Sequence, residues 1–389
     1  MKVRDLLRTP AMVAAFTAVF VLLSFLPAYF IRMPQWVSKA AGSNHNTAIR
    51  ADGTLWAWGG NGNGQLGNGA TSNSFRLTRL GNGRSWAHVC AGTSHSVGLK
   101  RDGSLWAWGN NERGQLGDGS GGWEDSRGER HVPIRVGTAR NWKTVAAGAF
   151  FTVGIRKDGT LWAWGSNEHG QLGDGTQIDR NVPVRIGASS DWVSVAAGGR
   201  HVAAIKRDGS LWTWGANWDG RLGDGTDIAR NTPVRVGEAM LWRYVAAGNA
   251  HTVAIAEDRS LWAWGSNEHG QLGDGTQNNR REPVRIGTVK NWSNVAAGLF
   301  HTAAVRYDGS LWAWGANRDG RLGDSTFSCR NSPVRIGMGA DWEKVSAGDR
   351  HTVAVRRDGS IWSWGHNGQG QLGDTARYDR RMPSLVALP

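Results

Sequence analysis

Histidine recurs at one position of a repeating pattern: His45, His95, His201, His251, His301 and His351, with Phe151 in its place once. Imidazoles are common metal ligands, but a structural metal site needs several donors converging at about 2 Å on one ion. One imidazole per repeat spreads the donors along an array. No metal is therefore expected, and each ring is read as buried and hydrogen-bonded to a neighbouring repeat. Gly62-Asn63-Gly64-Gln65-Leu66-Gly67 matches a dinucleotide fingerprint in form. It opens no helix, holds no phosphate-binding Lys and recurs in every copy, so it reads as a turn. Asp118, Asp174, Asp224, Asp274, Asp324 and Asp374 also recur, followed by Arg130, Arg180, Arg230, Arg280, Arg330 and Arg380. Such a series suits local ion pairs inside each loop better than paired catalytic carboxylates. No nucleophile–base pair can be assembled. The expectation is a protein that is not an enzyme and has no catalytic residue and no cofactor.

These residues hang on a frame defined by tryptophan. Seven pairs, Trp56/Trp58, Trp106/Trp108, Trp162/Trp164, Trp212/Trp214, Trp262/Trp264, Trp312/Trp314 and Trp362/Trp364, mark seven copies of one unit. Seven more Trp open the units, at Trp36, Trp86, Trp142, Trp192, Trp242, Trp292 and Trp342. Each unit offers four strand candidates bounded by turn residues. An Asp-Gly between the second and third is a strong hairpin signal, because that turn needs positive φ. In the fifth copy Asp258-Arg259 replaces it, which implies strain if the turn is kept. Four-stranded units at a period of about fifty residues predict an all-β, seven-bladed β-propeller of antiparallel blades. A lone blade cannot cover both faces, so the seven should close into a ring, with the 21 frame Trp as core.

The motifs AAGxxHT, DGxLWAWG, NxxGQLG and the following Pro-Val resemble the regulator of chromosome condensation repeat family, and the chain is similar to a bacterial member of it. The likeness covers residues 35–389 and implies a seven-bladed fold. Members of that family do unrelated jobs, so it implies little about function. Its nucleotide-exchange regulator carries a wedge between blades, whereas this chain has only six extra residues around Gly119–Gly128. Its plant photoreceptor places Trp where this chain has Ser43, Thr93, Ala149, Gly199, Asn249, Leu299 and Asp349. A secreted inhibitor built on similar repeats binds through aromatic residues just before the repeat His.

Ahead of the repeats, residues 1–34 read as a signal-anchor. Lys2, Arg4 and Arg8 precede an uncharged stretch from Ala11 to Ile31. As an apolar helix of 21 residues it would span a hydrocarbon core of about 30 Å. The charge imbalance puts the propeller outside the cytoplasm. A cleaved signal, releasing a secreted propeller, is the alternative. The two cysteines, Cys90 and Cys329, suggest no disulfide.

Binding residues are sought where copies vary while the frame stays constant. The connections between first and second strands give Asn44, Phe150, Arg200, Phe300 and Arg350. Those between third and fourth give Trp218, Arg318, His169, His269 and an insertion with Trp123. Both sets should emerge on one face, and aromatics with Arg are the types enriched at protein-binding hot spots. The leading expectation is an unidentified protein partner for a monomeric, membrane-tethered propeller. The opposite face should carry the hairpins Lys100-Arg101, Arg156-Lys157, Lys206-Arg207 and Arg356-Arg357. With a formal charge of +13 for the chain, this basic crown is the alternative site, for an anionic polymer such as a wall glycan, lipopolysaccharide or nucleic acid. Guanine-nucleotide exchange, implied only by the family, is the third reading.

Overall fold

The computed structural model describes residues 36–121 and 128–387. The apolar stretch 11–31 and Trp123 lie outside them. Among the described residues no helix is long and apolar enough to cross a membrane. Blade 1 comprises β1 (Trp36–Ala41), β2 (His45–Arg50), β3 (Leu55–Gly59) and β4 (Ser74–Arg79), hydrogen-bonded in that order as one antiparallel sheet. Six further sheets repeat it over residues 86–135, 142–185, 192–236, 242–285, 292–335 and 342–385. Every blade is one continuous run of chain, so no sheet is shared between the two ends.

The hairpin joining the second and third strands turns on a glycine in most copies. Gly53 has φ +81°, and a Cβ there would lie 2.1 Å from the Arg84 carbonyl oxygen of the next connection. Arg259 keeps this geometry with φ +66°, as its sequence position implied. Its guanidinium lies 4.4 Å from the centre of the Tyr307 ring.

The core is divided among the seams between blades. At each seam the second Trp of a blade's pair packs with apolar residues of the preceding blade. Trp58, Trp108, Trp164, Trp214, Trp264, Trp314 and Trp364 are fully buried. The opening Trp meets the pair edge-on, as in Trp86 with Trp106 at 6.3 Å and with Trp108 at 5.9 Å.

Polar clasps cross the same seams. His45, His95, His251 and His301 reach a hydroxyl on the next blade, Ser96, Thr152, Thr302 and Thr352, at 2.9 to 3.1 Å. His201 does the same with Thr252 at 2.9 Å. Thr152 gives its one proton to the Gln115 carbonyl at 2.8 Å, so the His95 Nε2–H must be the donor to Thr152. The glycine of AAGxxHT makes room for the ring, since a Cβ on Gly42 would sit 2.6 Å from His45 Cε1. Burial holds these imidazoles neutral: the pKa of His45 is lowered to about 4, and those of His251 and His351 to about 3.

The ring closes between blade 7 and blade 1. Trp36, Ala48 and Trp58 pack with Val353, Val355 and Ile361. His351 donates to Asn46 Oδ1 at 2.8 Å, and Asn46 Nδ2 donates to the Gln371 carbonyl at 2.7 Å. Lys39 stands where the other first strands carry Val, and its ammonium donates to Ser346 Oγ at 3.0 Å. Burial, and then the nearby Lys344, lower the Lys39 pKa to about 7.

Candidate functional site: the loop rim around the axis

β1 runs from the hairpin end of the ring to the opposite end, where it turns into β2. The first–second and third–fourth connections therefore share one rim, as the sequence reading required. At its centre the strand ends leave a cavity of about 100 Å³ lined mostly by Ala and Gly, with Ser43, Thr93, Asn249 and Asp349 as its polar groups. Asp349 bonds Ser43 across the closing seam. Its burial raises the carboxyl pKa, against the opposing pull of Ser43 and Arg321.

The rim residues form two aromatic groups. Trp218, 53% exposed, is met edge-on by His169 of the preceding blade at 4.7 Å, and Arg200 lies 5.8 Å from its ring centre. The Arg221 guanidinium is 5.4 Å from the same ring centre. Phe300 is half-buried against His269 at 4.8 Å. Phe150 is 37% exposed, and Arg200, Arg318 and Arg350 are exposed. Asn44 is held inward, with its carbonyl accepting from Gly60 N–H and its amide near Ser43.

Further out, the recurring Asp and Arg residues are loop pairs, as expected from their spacing. Arg130–Asp118, Arg180–Asp174, Arg230–Asp224 and Arg280–Asp274 lie at 2.7 to 2.9 Å. Each Asp also caps the loop, for instance by accepting from the Thr176 N–H and hydroxyl at Asp174. Asp319, His366 and Asp379 come together between blades 6 and 7. Asp319 is already bound by Arg321, and His366 by Asp379 at 3.0 Å, so the group is satisfied as it stands.

Arg221 and Arg321 were not singled out from the sequence. They replace the Gln of GQLG, are nearly buried, and bind Asp219 and Asp319 respectively. They also donate to the Asn249 and Asp349 carbonyls at 3.3 and 3.1 Å. The signal was readable, because Asp and Arg change together in WDGRLG and RDGRLG against EHGQLG.

The basic crown divides in two. Lys100, Arg156, Lys206 and Arg356 fold back over the tryptophans. The charge centre lies 3.6 Å from the Trp106 ring centre for Lys100, 3.6 Å from Trp162 for Arg156, and 4.1 Å from Trp362 for Arg356. They therefore cover the outer edge of the core by cation–π contact. Arg101, Lys157, Arg207 and Arg357 remain exposed. The charge of the described residues is nonetheless sharply divided between the two ends. The hairpin end, taken with the connections from each fourth strand to the next first strand, holds 23 Lys and Arg against 12 Asp and Glu. The loop rim holds 16 against 17.

A closed ring of seven four-stranded blades, with a frame of Trp and a rim of variable loops, defines a seven-bladed β-propeller. The chain belongs to the RCC1-like domain family, whose model matches residues 27–291 and, overlapping, 127–389. Human WBSCR16 is similar in structure, with a TM-score of 0.75 and 25% identity over 82% of this chain and 86% of that one. Yeast RCC1 (Prp20), solved bound to Kap60, gives a TM-score of 0.75 at 22% identity, covering 86% of this chain and 83% of that one. Prp20p from Saccharomyces cerevisiae gives 0.73 at 21% identity, covering 92% and 88%. These likenesses show the fold.

Proposed function

We propose that this protein is an exported, membrane-tethered propeller that captures a protein partner on its loop rim, without a catalytic step. The observation that carries this reading is Trp218. A half-exposed indole, buttressed by His169 and flanked by Arg200 and Arg221, is a preorganised anchor of the kind that dominates binding energy. Phe150, Phe300, Arg318 and Arg350 extend the same rim. The yeast relatives support a protein partner in kind, since Prp20 is described with Kap60, Gsp1p and histones. The near balance of charge on this rim favours a contact centred on aromatic groups over capture of a polyanion.

Capture from solubilised membranes with the full chain, beside a Phe150→Ala, Trp218→Ala, Phe300→Ala variant, tests it. The variant is expected to lose the partner at an unchanged melting temperature. Binding that survives the triple change would place the site elsewhere.

A further inference from the structure

The end of the ring opposite the rim carries the net positive charge, and it is also where the chain enters. Trp36 begins β1 at the hairpin end, so whatever precedes it is joined there. Between the apolar stretch ending at Ile31 and Trp36 stand only Arg32, Met33, Pro34 and Gln35. At about 3.5 Å per residue these reach at most ~14 Å. A propeller tethered by that stretch has its hairpin end within one or two Debye lengths of the headgroups, about 8 Å each at physiological salt.

That end suits such a neighbour. Arg84, Arg101, Arg140, Lys157, Arg207 and Arg357 are exposed there, within the excess of 23 basic over 12 acidic groups. Between them stand exposed apolar side chains, Met338 at 86% and Leu241 at 52%. Both lie in connections that run from a fourth strand to the next first strand, where no packing demands a large apolar group. Cationic residues beside projecting apolar ones suit an anionic lipid surface, where the first meet phosphates and the second enter the headgroup layer.

We infer that the hairpin end lies against anionic lipid headgroups, which fixes the ring face-down and presents the Trp218 rim away from the bilayer. This rests on the tethered reading proposed above. The test uses the full chain in nanodiscs of phosphatidylcholine alone and with about a third phosphatidylglycerol. Amide hydrogen exchange is followed in the hairpins around Arg101, Lys157, Arg207 and Arg357. Phosphatidylglycerol should slow it about threefold or more at low salt, with relief at high salt and no change at the Trp218 loop. An Arg101→Glu, Lys157→Glu, Arg207→Glu, Arg357→Glu variant should lose the slowing while remaining in the disc. Equal exchange in the two lipids overturns the inference. So does slowing by soluble dextran sulfate without slowing by phosphatidylglycerol, which would make this end a polymer site. The tether is read separately, by flotation with phosphatidylcholine vesicles at high salt. A chain that stays behind there defeats the anchor, whatever the hairpins report.

Discussion

The seam between blades 3 and 4 and the seam between blades 7 and 1 join the same kind of sheet by different means. At the first, Phe151 replaces the clasp histidine and Val202 replaces its hydroxyl partner, and both lie fully buried in one apolar cluster with Trp214. At the second, Lys39–Ser346, Asn46–His351 and Ser43–Asp349 cross the join, using residue types that their equivalents in other blades mostly lack. The first seam lacks the imidazole clasp but keeps hydrogen bonds from Trp214 Nε1 to the Gln171 carbonyl at 3.0 Å and from the Gly175 N–H to the Asn231 carbonyl at 2.9 Å, so two blades hold together without the clasp. Side-chain pairs beyond these common bonds have a further task, which is to specify the fit. They are densest where the two partners are remote in sequence. Chain connectivity assigns neighbours at six seams, and only side chains can assign them at the seventh.

Acid should divide the two kinds of seam most strongly. Six seams hold an imidazole with a pKa far below the value of about 6.5 in the unfolded chain, and the Phe151 seam holds none. Between the folded and unfolded values the unfolded chain binds more protons, so stability is lost as pH falls below about 6.5. The loss is about 1.4 kcal/mol per histidine per pH unit, which reaches on the order of 10 kcal/mol for the six near pH 5. Unfolding followed by Trp fluorescence should thus have its midpoint near pH 5. A native spectrum that persists to about pH 3.5 would mean that the rest of the fold outweighs the cost of holding six rings neutral.

A smaller effect is expected from Asn46→Ala, which leaves the His351 Nε2–H without its partner and the Gln371 carbonyl with only the Trp58 Nε1–H at 3.0 Å. The cost should be about 2–4 kcal/mol in denaturant titration, against about 1–2 kcal/mol for Thr302→Ala at an ordinary seam. Equal costs would remove the special status of the closing join. The finest test rebuilds the missing clasp. Val202→Thr alone supplies a hydroxyl that can donate to the Gln171 carbonyl, as Thr152 does to Gln115, but meets no imidazole, whereas Phe151→His with Val202→Thr should recover about 1–2 kcal/mol of coupling in a double-mutant cycle. A coupling near zero would show that positions 151 and 202 have relaxed beyond reach of one another.

Much of this was legible in the sequence because repetition separates frame from variation. The blade number, the four strands, the burial of 15 of the 21 frame Trp, the loop Asp–Arg pairs and the shared rim of Trp218 and Phe300 follow from period and turn chemistry, whereas Trp106, Trp162, Trp212, Trp262, Trp312 and Trp362 lie only partly buried at the outer edge. The strained Arg259 was also visible, as a missing glycine. What could not be read was set by contacts across seams. That Lys100, Arg156, Lys206 and Arg356 spend their charge over indoles depends on how the opening Trp and the pair meet, which no spacing within one copy reveals. The exchange of Phe151 with Val202 was present in the letters, but it means something only once the two positions are known to touch.

The clasp of imidazole, hydroxyl and carbonyl is the same at most joins, and this bears on how such rings change size over evolutionary time. A duplicated module inserted at an ordinary join meets both neighbours with the pairings they already use, so it demands no compensating substitution. Only the join between last and first modules, with its private lysine, serine and asparagine, would need rewriting. Growth from within, rather than from the tips, is the path of least resistance for this architecture.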